Sequence, residues 1–203
     1  MNTFKKLYKE LKSKYGCPKG QWSLWCKRPK TEREREKVLI GAILTQRTNW
    51  KNVELALSNL KRAKINSLKD IYKSGVKKLS PFIKPAGFYL IKANYLSGLA
   101  KFILKNYGNL EKMRRSDLCK LRKELLRQRG IGPETADSIL LYALDKPIFV
   151  IDEYTRRLVK KRNLAKNLSY GFLQKLFEKN LKKDFRLYQD LHALIVIDGK
   201  NKK

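Results

Sequence analysis

Apolar side chains recur at helical spacing through almost the whole chain, while alternating β-branched runs are nearly absent. Phe4, Leu7, Tyr8 and Leu11 fall on one helical face, as do Val38, Leu39, Ala42, Ile43 and Leu44. The same holds for Val53, Leu55, Ala56, Leu57 and Leu60, and for Leu118, Leu121, Leu125 and Leu126. A 3.6-residue period of this kind cannot line one face of a strand, so the fold class is all-α.

Punctuation residues divide the pattern. A first helix is predicted over Asn2 to Tyr15, then a loop from Gly16 to Pro29 that holds Trp22, Trp25 and Cys26. Thr31 and Glu34 have the spacing of a capping box, which opens the next helix. Thr45 to Asn49 breaks the apolar pattern before a further helix. Short helices are expected over Ser67 to Tyr72 and Val76 to Leu79, with turns at Pro81 and Pro85. A long helix then runs from Tyr89 to Asn106 and ends at Gly108. Later helices are predicted over Ser116 to Arg127, Pro133 to Leu144, from Asp152 onward, Leu168 to Lys179 and Asp184 to Asp198. The tail from Gly199 to Lys203 reads as frayed. Pro147-Ile148-Phe149-Val150-Ile151 reads equally as a short buried strand or an extended loop. There is no internal repeat and no low-complexity segment.

Charge narrows the partners. The 203 residues carry 48 Lys+Arg against 18 Asp+Glu, a formal net charge of +30. A chain this basic repels itself unless a polyanion is near, so nucleic acid is the first partner to consider. A merely lysine-rich solvated surface is the plainer alternative. No apolar run approaches the roughly 18 residues a spanning helix needs. The longest, Ala193 to Ile197, is far shorter. Met1 to Lys14 is basic and amphipathic but lacks a signal-peptide core. A cytoplasmic, nucleoid-associated monomer off the membrane is therefore expected.

Chemistry-bearing residues are few. Cys17, Cys26 and Cys119 are an odd, scattered set that fits neither a disulfide framework nor a metal pattern. With His192 the only histidine, a Ser/His/Asp triad is disfavoured. The remaining candidates are carboxylates, Lys, Tyr and Ser.

Two segments stand out. In Arg127-Gln128-Arg129-Gly130-Ile131-Gly132-Pro133-Glu134-Thr135-Ala136, two glycines flank one apolar residue between helices. Glycine permits positive φ and close backbone approach, and Pro133 suits a first helical turn. Ile131 can plug the core while backbone amides face outward to hold a phosphate oxygen. Arg127 and Arg129 add charge, so contact would be blind to base sequence and salt-dependent. An ordinary αα turn is the alternative. Twenty residues past Gly132, Asp152 follows the apolar run Val150-Ile151 and precedes Arg156-Arg157 and Lys160-Lys161-Arg162. Asp is a common N-cap. In a basic, DNA-facing groove it can also stabilise a developing cation on a deoxyribose and orient a water.

These residues resemble the helix-hairpin-helix and downstream aspartate of the endonuclease III superfamily of DNA glycosylases. Gly41-Ala42-Ile43-Leu44-Thr45-Gln46 with Thr48-Asn49-Trp50-Lys51-Asn52-Val53-Glu54 is similar to a segment of endonuclease III-like and 3-methyladenine glycosylase III-type members. Ile83-Lys84-Pro85-Ala86-Gly87-Phe88-Tyr89 with Lys92-Ala93, and Leu191-His192-Ala193-Leu194-Ile195-Val196 with Gly199-Lys200, resemble further stretches of the family. The likeness runs from about Glu36 to Lys200.

The resemblance implies a two-lobed fold. A six-helix domain would span 30–144, with the hairpin at about 116–144. A second helical lobe would join 1–29 to 145–203 and carry the catalytic aspartate, and DNA would lie in the cleft between the lobes. Asp152 matches that aspartate. Gly130, Ile131, Gly132 and Thr135 match the backbone-binding hairpin, often with a bound monovalent cation, and Arg127, Arg129 and Arg156 would join the DNA contact. Gln46 matches a residue that fills the gap left by a flipped base. Trp22, Trp25, Trp50, Phe88 and Tyr89 are the candidate base-pocket aromatics, with a plain core role the alternative for each. Where bifunctional relatives carry a Schiff-base lysine, this chain has Glu134, which forms no imine. The four-cysteine loop of many relatives is missing, so no iron–sulfur cluster and no other metal is expected. The implied activity is monofunctional base excision from damaged double-stranded DNA, most readily of an alkylated purine. A mismatched or deaminated pyrimidine, an oxidised guanine, a non-catalytic DNA-binding module and RNA binding stay open.

Overall fold

The structure, a computed structural model, describes residues 2–201; Met1, Lys202 and Lys203 lie outside the described residues. Among the described residues there are twelve α-helices and no strand. The chain divides into two compact units, Pro29–Leu144 and the combination of Met1–Arg28 with Asp145–Lys203.

The continuous unit holds α3 (Glu32–Leu44), α4 (Trp50–Arg62), α5 (Leu68–Leu79), α6 (Tyr89–Tyr107), α7 (Leu110–Arg114), α8 (Leu118–Leu126) and α9 (Pro133–Ser138). Six of these are six residues or longer, and α7 is an added five-residue helix. Local signals set the ends. Thr31 and Glu34 form the capping box at α3, Asn49 caps α4 and Asp117 caps α8. The packed stripe of α6 is Ala93, Leu96, Leu99, Ala100 and Ile103, all at most 1% exposed. Within Leu68–Leu79 the non-helical Gly75 (φ 66°, ψ 171°) separates two short helices, as expected, with Ser67 capping the first. Ser80–Ala86, expected as turns around its two prolines, winds into a 3₁₀ helix.

The helix expected from Pro133 to Leu144 widens at Ile139–Ala143 into a π-helical turn. All five of its residues are buried, so core packing on every side holds the wider turn. Arg35 closes its end by donating to the Ala143 carbonyl at 2.8 Å.

The discontinuous unit holds α1 (Thr3–Tyr15), α2 (Gln21–Trp25), α10 (Glu153–Lys161), α11 (Tyr170–Asn180) and α12 (Phe185–Asn201). Helix α2 lies inside the stretch expected to be loop; its Trp22 and Trp25, each 5% exposed, drive it into the core. Helix α12 continues through Gly199 to Asn201, where a frayed tail was expected. Buried charge ties α1 to α12: Asp190 meets Arg28, Lys12 and Tyr8, and Asp198 meets Lys14 and Tyr15.

The run 147–151 is an extended loop. Its backbone finds partners in side chains of α11: Glu178 accepts from the Phe149 amide at 2.9 Å, and Gln174 donates to the Phe149 carbonyl at 2.7 Å. Those bonds satisfy groups that a neighbouring strand would otherwise have to meet.

Candidate DNA-repair site

The hairpin joins α8 to α9. Gly130 sits at φ 78°, and the Ile131 amide donates back to the Gln128 carbonyl at 3.2 Å. Ile131 is 5% exposed and plugs the core. Gly132 is extended (φ −88°, ψ 178°) and caps α9, with Pro133 at its first turn. Arg122 holds the fully buried Asp137 with two bonds of 2.7 and 3.1 Å, which locks α8 to α9. Arg127, Arg129, Gly130, Gly132 and Glu134 are exposed.

Side chains from two other elements reach this turn. Gln46 donates through Nε2 to the Gly130 carbonyl at 2.9 Å and to Thr135 Oγ1 at 3.0 Å. A Cβ built at Gly130 would overlap the ring of Tyr95 from α6, so the glycine serves close approach as well as backbone freedom. Phe88, at the entry to α6, is 59% exposed at φ 46°. A bulky residue held left-handed is strained, and strain retained on an exposed aromatic points to use. Leu90 and Ile91 beside it are also exposed.

Asp152 belongs to the other unit. It caps α10, with Oδ1 accepting from the Thr155 amide at 2.8 Å and from Thr155 Oγ1 at 2.9 Å. Oδ2 faces His192 Nε2 at 3.5 Å. The cap and the chemical reading of this aspartate are therefore compatible, because each uses a different oxygen. The carboxylate side chain is 13% exposed. Burial works to raise its pKa, but the His192 imidazole beside it and the two bonds from Thr155 outweigh it. The carboxyl is held below the ordinary 3.8. It stays ionised at neutral pH, as stabilising a cation requires.

His192 is itself boxed by Trp22 and Phe149, both edge-on, at 5.8 and 6.3 Å between ring centroids. Trp25 packs edge-on against Trp22 at 5.6 Å. At the same end of α10, a Cβ at Gly199 would overlap the ring of Tyr154. Glycine there lets α12 pass close to the helix that Asp152 opens.

The candidate residues thus fall into two groups. Gln46, Arg127, Arg129, Gly130, Ile131, Gly132, Glu134 and Thr135 share the continuous unit with Trp50, Phe88 and Tyr89. Asp152, Arg156, Trp22 and Trp25 share the other. Arg156 is half-buried and donates to the Leu168 carbonyl at 3.3 Å. Trp22 and Trp25 are buried, Trp50 and Tyr89 half-buried, and Phe88 exposed. Sequence reasoning missed three residues. In the sequence His192 disfavours a triad and sits in a family-like stretch but carries no role at the site, and neither do Tyr95 and Lys92. Lys92 had a legible signal: it stands four residues before Leu96 on the apolar stripe of α6, where a charge is costly.

No cluster of three or more His, Cys, Asp or Glu able to hold a metal occurs among the described residues. The sequence has three cysteines, one short of the four thiolates that hold an iron–sulfur cluster. No helix of the described residues is long and apolar enough to cross a membrane.

The sequence pattern of the HhH-GPD superfamily of base excision DNA repair proteins matches residues 40–183. The chain belongs to this superfamily. A Methanocaldococcus jannaschii protein, provisionally named a DNA repair glycosylase, is 48% identical over 165 residues, covering 80% of this chain and 75% of that one. Endonuclease III of Thermotoga maritima is 26% identical over 158 residues, covering 77% and 70%. The crystal structure of Helicobacter pylori 3-methyladenine DNA glycosylase (MagIII) bound to 1,N6-ethenoadenine superposes with a TM-score of 0.82. It is 32% identical and covers 100% of this chain and 99% of that one. The HhH-GPD chain described here is thus a DNA glycosylase of base excision repair, with DNA as its partner.

Proposed function

We propose that this glycosylase is monofunctional and excises alkylated purines. The observation that carries the first part is Glu134. It is exposed in the first turn after the hairpin, where bifunctional relatives carry their Schiff-base lysine, and a carboxylate forms no imine. Hydrolysis then rests on Asp152. As the N-glycosidic bond breaks, its electron pair leaves with the base and positive charge develops on the sugar. The ionised, largely desolvated carboxylate stabilises that charge, which is worth more in a water-poor site than in bulk. A water adds its oxygen to the sugar carbon, and its proton passes to the Asp152 carboxylate and from there to solvent.

A purine methylated at N3 or N7 suits this chemistry because it already carries positive charge and leaves without an acid. The 32% identity and full-length coverage shared with a 3-methyladenine DNA glycosylase support that substrate class. A cationic base also gains from an aromatic face.

DNA would be held by the hairpin amides with Arg127 and Arg129, through sequence-blind phosphate contacts. A monovalent cation fits the turn through its carbonyls. Those of Gln128 and Gly130 each accept one protein donor, leaving a second lone pair. Gln46 and the exposed Phe88 are assigned to the gap left by the extruded nucleotide, so Phe88 is read as a stacking wedge rather than a pocket wall.

The test is a panel of duplexes carrying one 3-methyladenine, 1,N6-ethenoadenine, uracil, G·T mismatch or 8-oxoguanine, followed by alkali. Release of the alkylated adenines, with strand breaks only after alkali and no borohydride-trapped adduct, is expected. Breaks without alkali would overturn the monofunctional reading, and release confined to the other lesions would overturn the substrate class.

A further inference from the structure

Lys92 is 2% exposed, on the apolar stripe of α6. Its Nζ donates to the carbonyls of Leu44 and Ala86, both at 2.7 Å. Leu44 ends α3, and Ala86 ends the 3₁₀ helix Ser80–Ala86. Carbonyls in a last helical turn lack partners within the helix and carry partial negative charge. Two helix ends thus take the place of a counter-ion, and Lys92 forms no ion pair among the described residues.

Each of these carbonyls stands just before a residue of the candidate site. Gln46 lies two residues past Leu44, and Phe88 two residues past Ala86. Gln46 continues the chain of contacts to Gly130 and Thr135 of the hairpin. One buried ammonium therefore spans the roots of both segments, and an amide links one of them to the third. A methionine of similar volume would pack in the stripe without the desolvation penalty a charge incurs. The lysine is explained by the two bonds it makes.

We infer that Lys92 is a positioning residue for base extrusion: it fixes the spacing of Gln46 and Phe88 without itself touching DNA. The inference rests on the glycosylase reading above. Misplacing a reacting assembly by about 1 Å costs about a hundredfold in rate. The loss should be concentrated where a paired base must be forced from the stack.

The experiment compares wild type, Lys92→Met and Lys92→Arg on duplexes carrying 1,N6-ethenoadenine, opposite either thymine or a tetrahydrofuran abasic analogue. Single-turnover release at saturating enzyme is expected to fall about a hundredfold in Lys92→Met opposite thymine. Opposite the abasic analogue it should fall less than about threefold. Lys92→Arg, which keeps the donors, should recover most of the loss. Equal losses on the two duplexes, or none, would overturn the inference. Hydrogen exchange on the free proteins gives a readout independent of catalysis. Amides of 45–48 and 87–89 should exchange about tenfold faster in Lys92→Met, while those of 153–161 stay unchanged. Unaltered exchange at 45–48 and 87–89 would also overturn it. If Lys92→Met does not melt cooperatively, Lys92→Gln takes its place in both measurements. If wild type frees no base from either duplex, the substrate reading fails there and exchange alone judges Lys92.

Discussion

The ring of Tyr95 closes over Gly130 so tightly that a methyl group at that position would overlap it. Gly130 also holds φ 78°, so two separate costs meet at one residue. Gly130→Ala should destabilise the protein through the left-handed conformation by about 1–2 kcal/mol, with the ring overlap adding to that. Combining it with Tyr95→Ala should remove the steric part and leave the conformational part. Urea unfolding of the two single variants and the double variant measures this; strictly additive losses would contradict the contact.

Phe88 gives the opposite pattern. Replacing it by glycine relieves a left-handed φ of 46° while loosening the unfolded chain, and these effects are similar in size, so stability should change by less than about 1 kcal/mol. Base–aromatic stacking is worth about 1–3 kcal/mol, so release from a paired lesion should fall about tenfold or more. Single-turnover rates and thermal melts on Phe88→Gly separate the two. A variant as active as wild type would remove Phe88 from the extrusion step.

Lys92 predicts a pH dependence whose sign is set by its burial. Desolvation lowers its pKa from 10.5 to about 8. Below about 8 the residue is charged in both folded and unfolded states. Between about 8 and 10.5 the unfolded chain holds a proton that the folded one has released, so stability contributed at this site rises with pH across that window. The neutral amine keeps two N–H groups, enough for both carbonyl bonds. Urea unfolding at about pH 7, 9 and 10 should therefore show wild type gaining on Lys92→Met as the medium turns alkaline. Parallel curves would contradict it.

The helical class was legible because the apolar period is set residue by residue, and Thr31 and Asp152 announced their helix starts as caps. What escaped depended on partners distant in sequence. The Pro147–Ile151 run stayed ambiguous because its backbone is satisfied by Glu178 and Gln174, from a helix some 25 to 29 residues on. The π turn at Ile139–Ala143 has no local signature, since the core on every side imposes it. Gly130, Gly132 and Asp152 stood out at the candidate site because their residue types are needed locally. His192 did not, because its role arises from a contact 40 residues away; Lys92 shows as a charge on an apolar stripe, but its partner Leu44, 48 residues away, does not.

Asp152 is assigned to base removal and the hairpin to holding the DNA, and Asp152→Asn separates the two roles. Asparagine still caps a helix and can still accept from Thr155, but it carries no charge. On a duplex carrying an alkylated adenine, affinity is expected within about threefold of wild type, with release slower by about 10²–10³-fold or more. Release at the wild-type rate with affinity intact would contradict the assignment.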